Sequence, residues 1–97
     1  MAKLEKNAAG NYRLNGDLDF STVMGVLTQY INLSAQEKNI EVDLSGLQKC
    51  NSAALALFVE MKARARGRQQ IIVFSNVPQQ IQNLAAMSNV EGLLFAA

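Results

Sequence analysis

Histidine is missing from all 97 residues, and Cys50 is the single cysteine. Without an imidazole the usual base of a nucleophile–base pair is absent, and one thiol cannot build a structural zinc site. A lone cysteine also excludes an internal disulfide framework and fits a reducing compartment. Charge of either sign is in short supply. Nine Lys and Arg against eight Asp and Glu give a net charge of +1, which argues against a dedicated nucleic-acid binder. No run of about eighteen apolar residues occurs, so no segment is expected to span a membrane. The closing Leu93-Leu94-Phe95-Ala96-Ala97 is too short for that. The lysines of Met1 to Gly10 are followed by no apolar stretch, so a secretory signal is not expected there. No glycine loop to cradle a phosphate, no metal-ligand spacing and no internal repeat is found. Catalytic residues, metals and cofactors are therefore expected to be none.

What is present is an ordinary globular composition, 49% hydrophobic and 18% charged. The length supports one domain over 1–97, with a modest core that hides roughly 60–65% of the unfolded surface. Tyr12 and Leu14 alternate with Arg13 and Asn15, which predicts a strand, with Gly16-Asp17 as turn material after it. A weaker strand around Leu4 is placed to pair with it across Asn7 to Asn11. Val23, Val26, Leu27, Tyr30 and Ile31 have the spacing of one helical face, with Asp19 or Ser21 as cap. Ile40, Val42 and Leu44 form a second alternating strand, and Ser45-Gly46 reads as its exit. Ser52 opens a helix to about Arg66, with Gly67 as its left-handed end. The run Ile71-Ile72-Val73-Phe74 reads as a strand covered on both faces. Pro78 suits the first turn of a third helix carrying Ile81, Leu84 and Ala85, and Val90, Leu93 and Leu94 suggest a final turn.

Strands alternating with helices imply an α/β fold: a mixed sheet of about four strands with helices packed against it. Right-handed crossovers make Ile40–Leu44 and Ile71–Phe74 parallel. Partner sites in such sheets favour the loops beyond the carboxyl ends of parallel strands, and Gly46 to Ser52 is expected to be one. Asn51 and Ser52 are both strong caps, and small Ala53 and Ala54 let another surface approach. A hydroxyl at the positive end of a helix also suits a phosphoacceptor, so Ser52 reads either as a cap or as a modification site.

The segment Asp43-Leu44-Ser45, the short interval after it, and Asn51-Ser52-Ala53-Ala54-Leu55-Ala56-Leu57 resembles the STAS domain (sulfate transporter and anti-sigma factor antagonist). The resemblance runs from about Tyr12 to Leu94 and includes Gly16-Asp17-Leu18-Asp19 and Asn76-Val77-Pro78. Within the family, Ala53 to Glu60, Val77-Pro78-Gln79-Gln80-Ile81 and Val90-Glu91-Gly92-Leu93-Leu94 are most similar to the stand-alone cytoplasmic B subunits of bacterial lipid-asymmetry transporters. That likeness implies a non-catalytic accessory subunit. It would bind the ATPase subunit of a phospholipid-transporting ABC complex and meet the inner membrane only through its partners. The alternative it implies is an anti-sigma factor antagonist, met by an anti-sigma factor kinase and switched at Ser52. Phosphorylated members typically keep Asp just before the acceptor, and Asn51 departs from that pattern.

On the second helix, Ala54, Leu57, Phe58, Met61 and Ala65 share the expected core face. Glu60 and Arg64 can pair at i,i+4. Leu55, Val59, Lys62 and Arg66 form a mixed stripe, read either as a partner-binding face or as the rim of a wide core under basic stems. The expected partner-binding residues are thus Asn51, Ser52, Ala53, Leu55, Val59 and Lys62. Lys62, Arg64, Arg66 and Arg68 alternate too closely to form one patch and read as a solvated helix end. Cys50 reads as an unreactive thiol, Asp17 and Asp19 as turn and cap, and Asp43 as a brace for the loop after it.

Overall fold

The structure, a computed structural model, describes residues 1–95. The final Ala96 and Ala97 of the expected 1–97 domain lie outside them. The alternation at Tyr12 and Leu14 does make a strand: β1 (Ala2–Ala8) and β2 (Asn11–Leu18) form an antiparallel hairpin. The chain continues through α1 (Val23–Leu33), β3 (Asn39–Cys50), α2 (Ala53–Gly67), β4 (Ile71–Ser75), α3 (Gln79–Met87) and α4 (Glu91–Phe95). The sheet order is β1-β2-β3-β4, with β2 parallel to β3 and β3 parallel to β4. This is the expected mixed sheet of four strands with helices packed on it.

Period-two patterning decides which side is covered. Leu4, Tyr12, Leu14, Ile40, Val42, Leu44 and Ile72 are buried under the helices, while Lys3, Glu5, Arg13 and Glu41 face outward. From above, Val26, Leu27, Tyr30, Phe58, Met61, Ile81 and Leu94 close the core. Phe58 packs between Phe74 and Phe95 with ring centroids 4.9 and 6.4 Å away, joining α2, β4 and α4. The Tyr30 hydroxyl donates to the Met61 carbonyl at 3.4 Å and ties α1 to α2. Among the described residues no helix is long and apolar enough to cross a membrane.

Several boundaries differ from those the sequence predicts, each for a local reason. Gly16-Asp17 is not a turn but part of β2, because Gly16 takes φ +100° and lets the strand pass close to Met1. A β-carbon at Gly16 would collide with the Met1 carbonyl oxygen. The predicted loop from Gly46 is strand as well. Register shifts between Arg13 and Asn15 and between Gly16 and Leu18 let β2 and β3 stay paired as far as Leu18 and Cys50. The Asp17 carboxylate accepts the Lys49 N–H at 3.0 Å and holds that last stretch. β4 is covered on one face only, since Ile71 and Val73 are exposed. Helix α2 ends at Gly67, but the left-handed residue that closes it is Gln69 at φ +57°, with the Gln70 N–H donating to the Ala65 carbonyl at 2.8 Å. Helix α1 begins after Thr22, because the Asp19 carboxylate accepts the Ser21 N–H and hydroxyl instead of capping the helix. Pro78 precedes the first turn of α3 rather than lying in it.

Candidate functional site

The extension of β2 and β3 delivers the amino end of α2 to the surface. Leu18 pairs with Cys50, and the Asn51 N–H donates to the Leu18 carbonyl at 3.1 Å. Two residues then make the corner into the helix. The Asn51 side-chain oxygen accepts the Ala53 N–H at 2.9 Å, so Asn51 satisfies a free donor of the first turn. Ser52 already has helical angles, φ −62° and ψ −18°, and its side chain makes no capping bond. Asn51 is therefore the cap, and the exposed Ser52 hydroxyl is left facing outward.

The six predicted partner-binding residues divide sharply. Asn51 and Ser52 are exposed, Val59 and Lys62 are half-buried, and Ala53 and Leu55 lie inside at 1% and 6% exposure. Leu55 and Ala53 are corrected from surface to core. The reason is the position of α2, which packs against α1 on one side and against α3 and α4 on the other. A helix flanked on both sides buries more than one stripe, and Ala53, Ala54, Leu55, Leu57, Phe58, Met61 and Ala65 are all enclosed. Lys62 lays its stem along this rim, with its Nζ 6.0 Å from the centre of the Phe74 ring. The Glu60–Arg64 pair forms at 3.0 Å.

Sequence reasoning missed the residues that do line this end. Ala56 is exposed one turn beyond Ser52, Met24 across from it is 67% exposed, and Phe20, 77% exposed, lies just ahead of α1. A groove of about 330 Å³ runs between α1 and α2, lined by Val23, Met24, Leu27, Ala56, Leu57 and Glu60. The signal was legible: Phe20 precedes the helix, and Met24 falls off its buried Val26-Leu27-Tyr30 stripe. A second depression, about 230 Å³, lies beside Asn51 and is lined by Asp17, Asp19, Lys49 and Cys50.

The ionisable groups here are placed for structure. Bonds from the Ser21 hydroxyl and N–H hold the Asp19 carboxyl below its usual range. The Ser45 N–H does the same for Asp43, whose carboxylate also accepts the Asn76 amide at 3.1 Å and so braces the β4–α3 turn. Burial, with the Asp17 charge adding to it, pushes the Cys50 thiol up and keeps it protonated at neutral pH.

A family model described as "Mlab, STAS domain" matches residues 2–95. The chain belongs to the STAS domain family. This STAS domain is similar in fold to the anti-sigma factor antagonist SpoIIAA in its unphosphorylated form. The TM-score is 0.75 at 14% identity, over 100% of this chain and 88% of that one. It is also similar to a crystal structure described as Mglu, with a TM-score of 0.62 and 14% identity, covering 79% of this chain and 20% of that one. At such identity the likeness is one of fold. No curated protein sequence matches it.

Proposed function

We propose that this STAS domain is a non-catalytic accessory subunit. It binds the ATPase of a phospholipid-transporting ABC complex, supports its assembly or activity, and resides in the cytoplasm, at the inner membrane only through that complex. The observation that carries the reading is the division of labour at α2: Asn51 caps the helix, which leaves the Ser52 hydroxyl and the Ala56 methyl free for a partner. A neutral, small-residue helix end allows close approach, and the flanking Phe20 and Met24 offer apolar anchors. Val59 and Lys62 are half-buried further along the same helix, and Ala53 and Leu55 anchor its inner face in the core. The description of the matching family model supports the transporter assignment.

The test is a pull-down from native membranes with the partners identified by mass. The wild-type chain brings down an ABC ATPase, and Ser52→Arg or Ala56→Arg releases it without lowering Tm. Retention of the ATPase by both variants would place the contact elsewhere.

The likeness to SpoIIAA favours a second reading, an anti-sigma factor antagonist met by a kinase. A phosphate on Ser52 adds roughly −1.5 to −2 charge and would release such a partner. Intact mass after incubation with candidate kinases separates the two, because only the switch needs a modified Ser52.

A further inference from the structure

The sheet has two edges, and they are built differently. Along β1 the exposed residues include Lys3, Glu5 and Lys6, and the register slips between Lys6 and Ala8. The Leu4 N–H is taken up by the Gln29 side chain of α1 at 2.9 Å. Charge, a bulge and a covering side chain are devices that keep an edge strand from pairing with another chain. β4 has none of them. Ile71-Ile72-Val73-Phe74-Ser75 carries no charge and no proline, and its register against β3 is unbroken. On its open face Ile71 is 66% and Val73 47% exposed.

The backbone of β4 is available as well. Ile71 donates its N–H to the Lys38 carbonyl at 2.9 Å. Alternate residues of a strand turn their amides to opposite neighbours, so Ile71 and Val73 face β3 while Ile72 and Phe74 face outward. Among the described residues no turn, loop or side-chain hydrogen bond takes up the Ile72 or Phe74 backbone. Beside this edge a groove of about 390 Å³ opens between α2 and β4, lined by Lys62, Ala65, Arg66, Gln69, Ile71 and Ile72. The ion pairs among the described residues are Lys6 with Glu37 and Arg64 with Glu60, so Lys62 and Arg66 have no acidic partner. The groove is held in shape at one end, where the Gln70 amide donates to the Ser34 and Glu37 carbonyls, each at 2.7 Å.

We infer that β4 is a docking edge for an extended acidic segment of another protein, which joins the sheet as a fifth strand. Side chains of an added strand alternate between the two faces. On the helix side its carboxylates meet Lys62 and Arg66, and on the open side its apolar residues lie beside Ile71 and Val73. A second copy of this chain fits worse. Two-fold pairing of β4 with β4 puts both helical layers on one side and turns the two Lys62–Arg66 rims toward each other. Lys62 stands about 15 Å along α2 from Ser52, so this edge is separate from the Ser52 and Ala56 contact proposed above.

The test titrates the isotope-labelled protein with a short blocked peptide of alternating valine and glutamate, and follows amide exchange and chemical shifts. The Ile72 and Phe74 amides are expected to exchange at least about tenfold more slowly when the peptide saturates. The same peptide with lysine for glutamate should bind about five- to tenfold more weakly, and the Lys62→Glu/Arg66→Glu double variant should reverse that order. Ser52→Arg should bind the glutamate peptide as the wild type does. Should the double variant fail to fold, the two peptides on the wild type decide the matter. Unprotected Ile72 and Phe74 amides, or equal binding of both peptides, would overturn the inference. Protection that rises with protein concentration alone would also overturn it and give the edge to a second copy.

Discussion

The two ends of α2 solve one problem in opposite ways. At the amino end the unpaired N–H groups are met by a side chain from outside the helix, that of Asn51, and the exposed residues are small and neutral. At the carboxyl end the backbone closes on itself through Gln69 and Gln70, and the surface is cationic. Two of those four cations are already engaged with oxygens: Arg64 with Glu60, and Arg68 with the Ile31 carbonyl at 3.2 Å. Lys62 and Arg66 are what remains. One helix, enclosed along its middle, thus presents two chemically distinct surfaces. A run of like residues says little about a surface until the engaged ones are subtracted.

The contrast between enclosed and presented residues breaks most sharply at neighbouring positions. Leu55→Asp forces a carboxylate into the core and should cost at least about 3 kcal/mol, read as a loss of folded protein in urea or heat. Ala56→Asp, one residue on, should leave the fold within about 0.5 kcal/mol of wild type. Equal effects would erase the distinction between core and candidate surface.

The amino-end cap gives the next effect. Asn51→Ala should lower stability by about 1 kcal/mol, whereas Ser52→Ala should change it by less than about 0.5 kcal/mol. A larger loss at Ser52 would make Ser52 the cap and remove the argument that its hydroxyl is free for a partner.

The smallest effect belongs to the other end. Gln69 holds a left-handed conformation that an ordinary side chain adopts at a cost. Gln69→Gly should therefore stabilise by about 0.5–1 kcal/mol, seen as a modest rise in Tm. A fall in Tm would mean that the Gln69 side chain contributes contacts outweighing its backbone strain.

Much of this architecture was legible in order. The Val23-Val26-Leu27-Tyr30 stripe, the alternation of Ile40, Val42 and Leu44, and the run at Ile71 each yielded the predicted element. Failures cluster where glycine or a polar turn residue was taken at face value. Gly16 and Gly46 read as punctuation, yet they let two strands run on together. Gly67 reads as a helix end, yet the left-handed residue is Gln69. The candidate site suffered most from this. A predicted loop from Gly46 to Ser52 proved to be strand as far as Cys50, and the stripe of Leu55 and Val59 proved to be core and rim.

By itself the sequence determined the periodicities, and with them which segments are helix or strand and which face of each is apolar. Those follow from bonds and side chains a few residues apart. Which apolar residues end up covered was decided only by the tertiary structure, because coverage depends on what packs alongside. With α1 on one flank of α2 and α3 and α4 on the other, Leu55 went inside and Ala56 stayed out. With the helices packed on one face of the sheet, Ile71 and Val73, which point from the other, stayed out too.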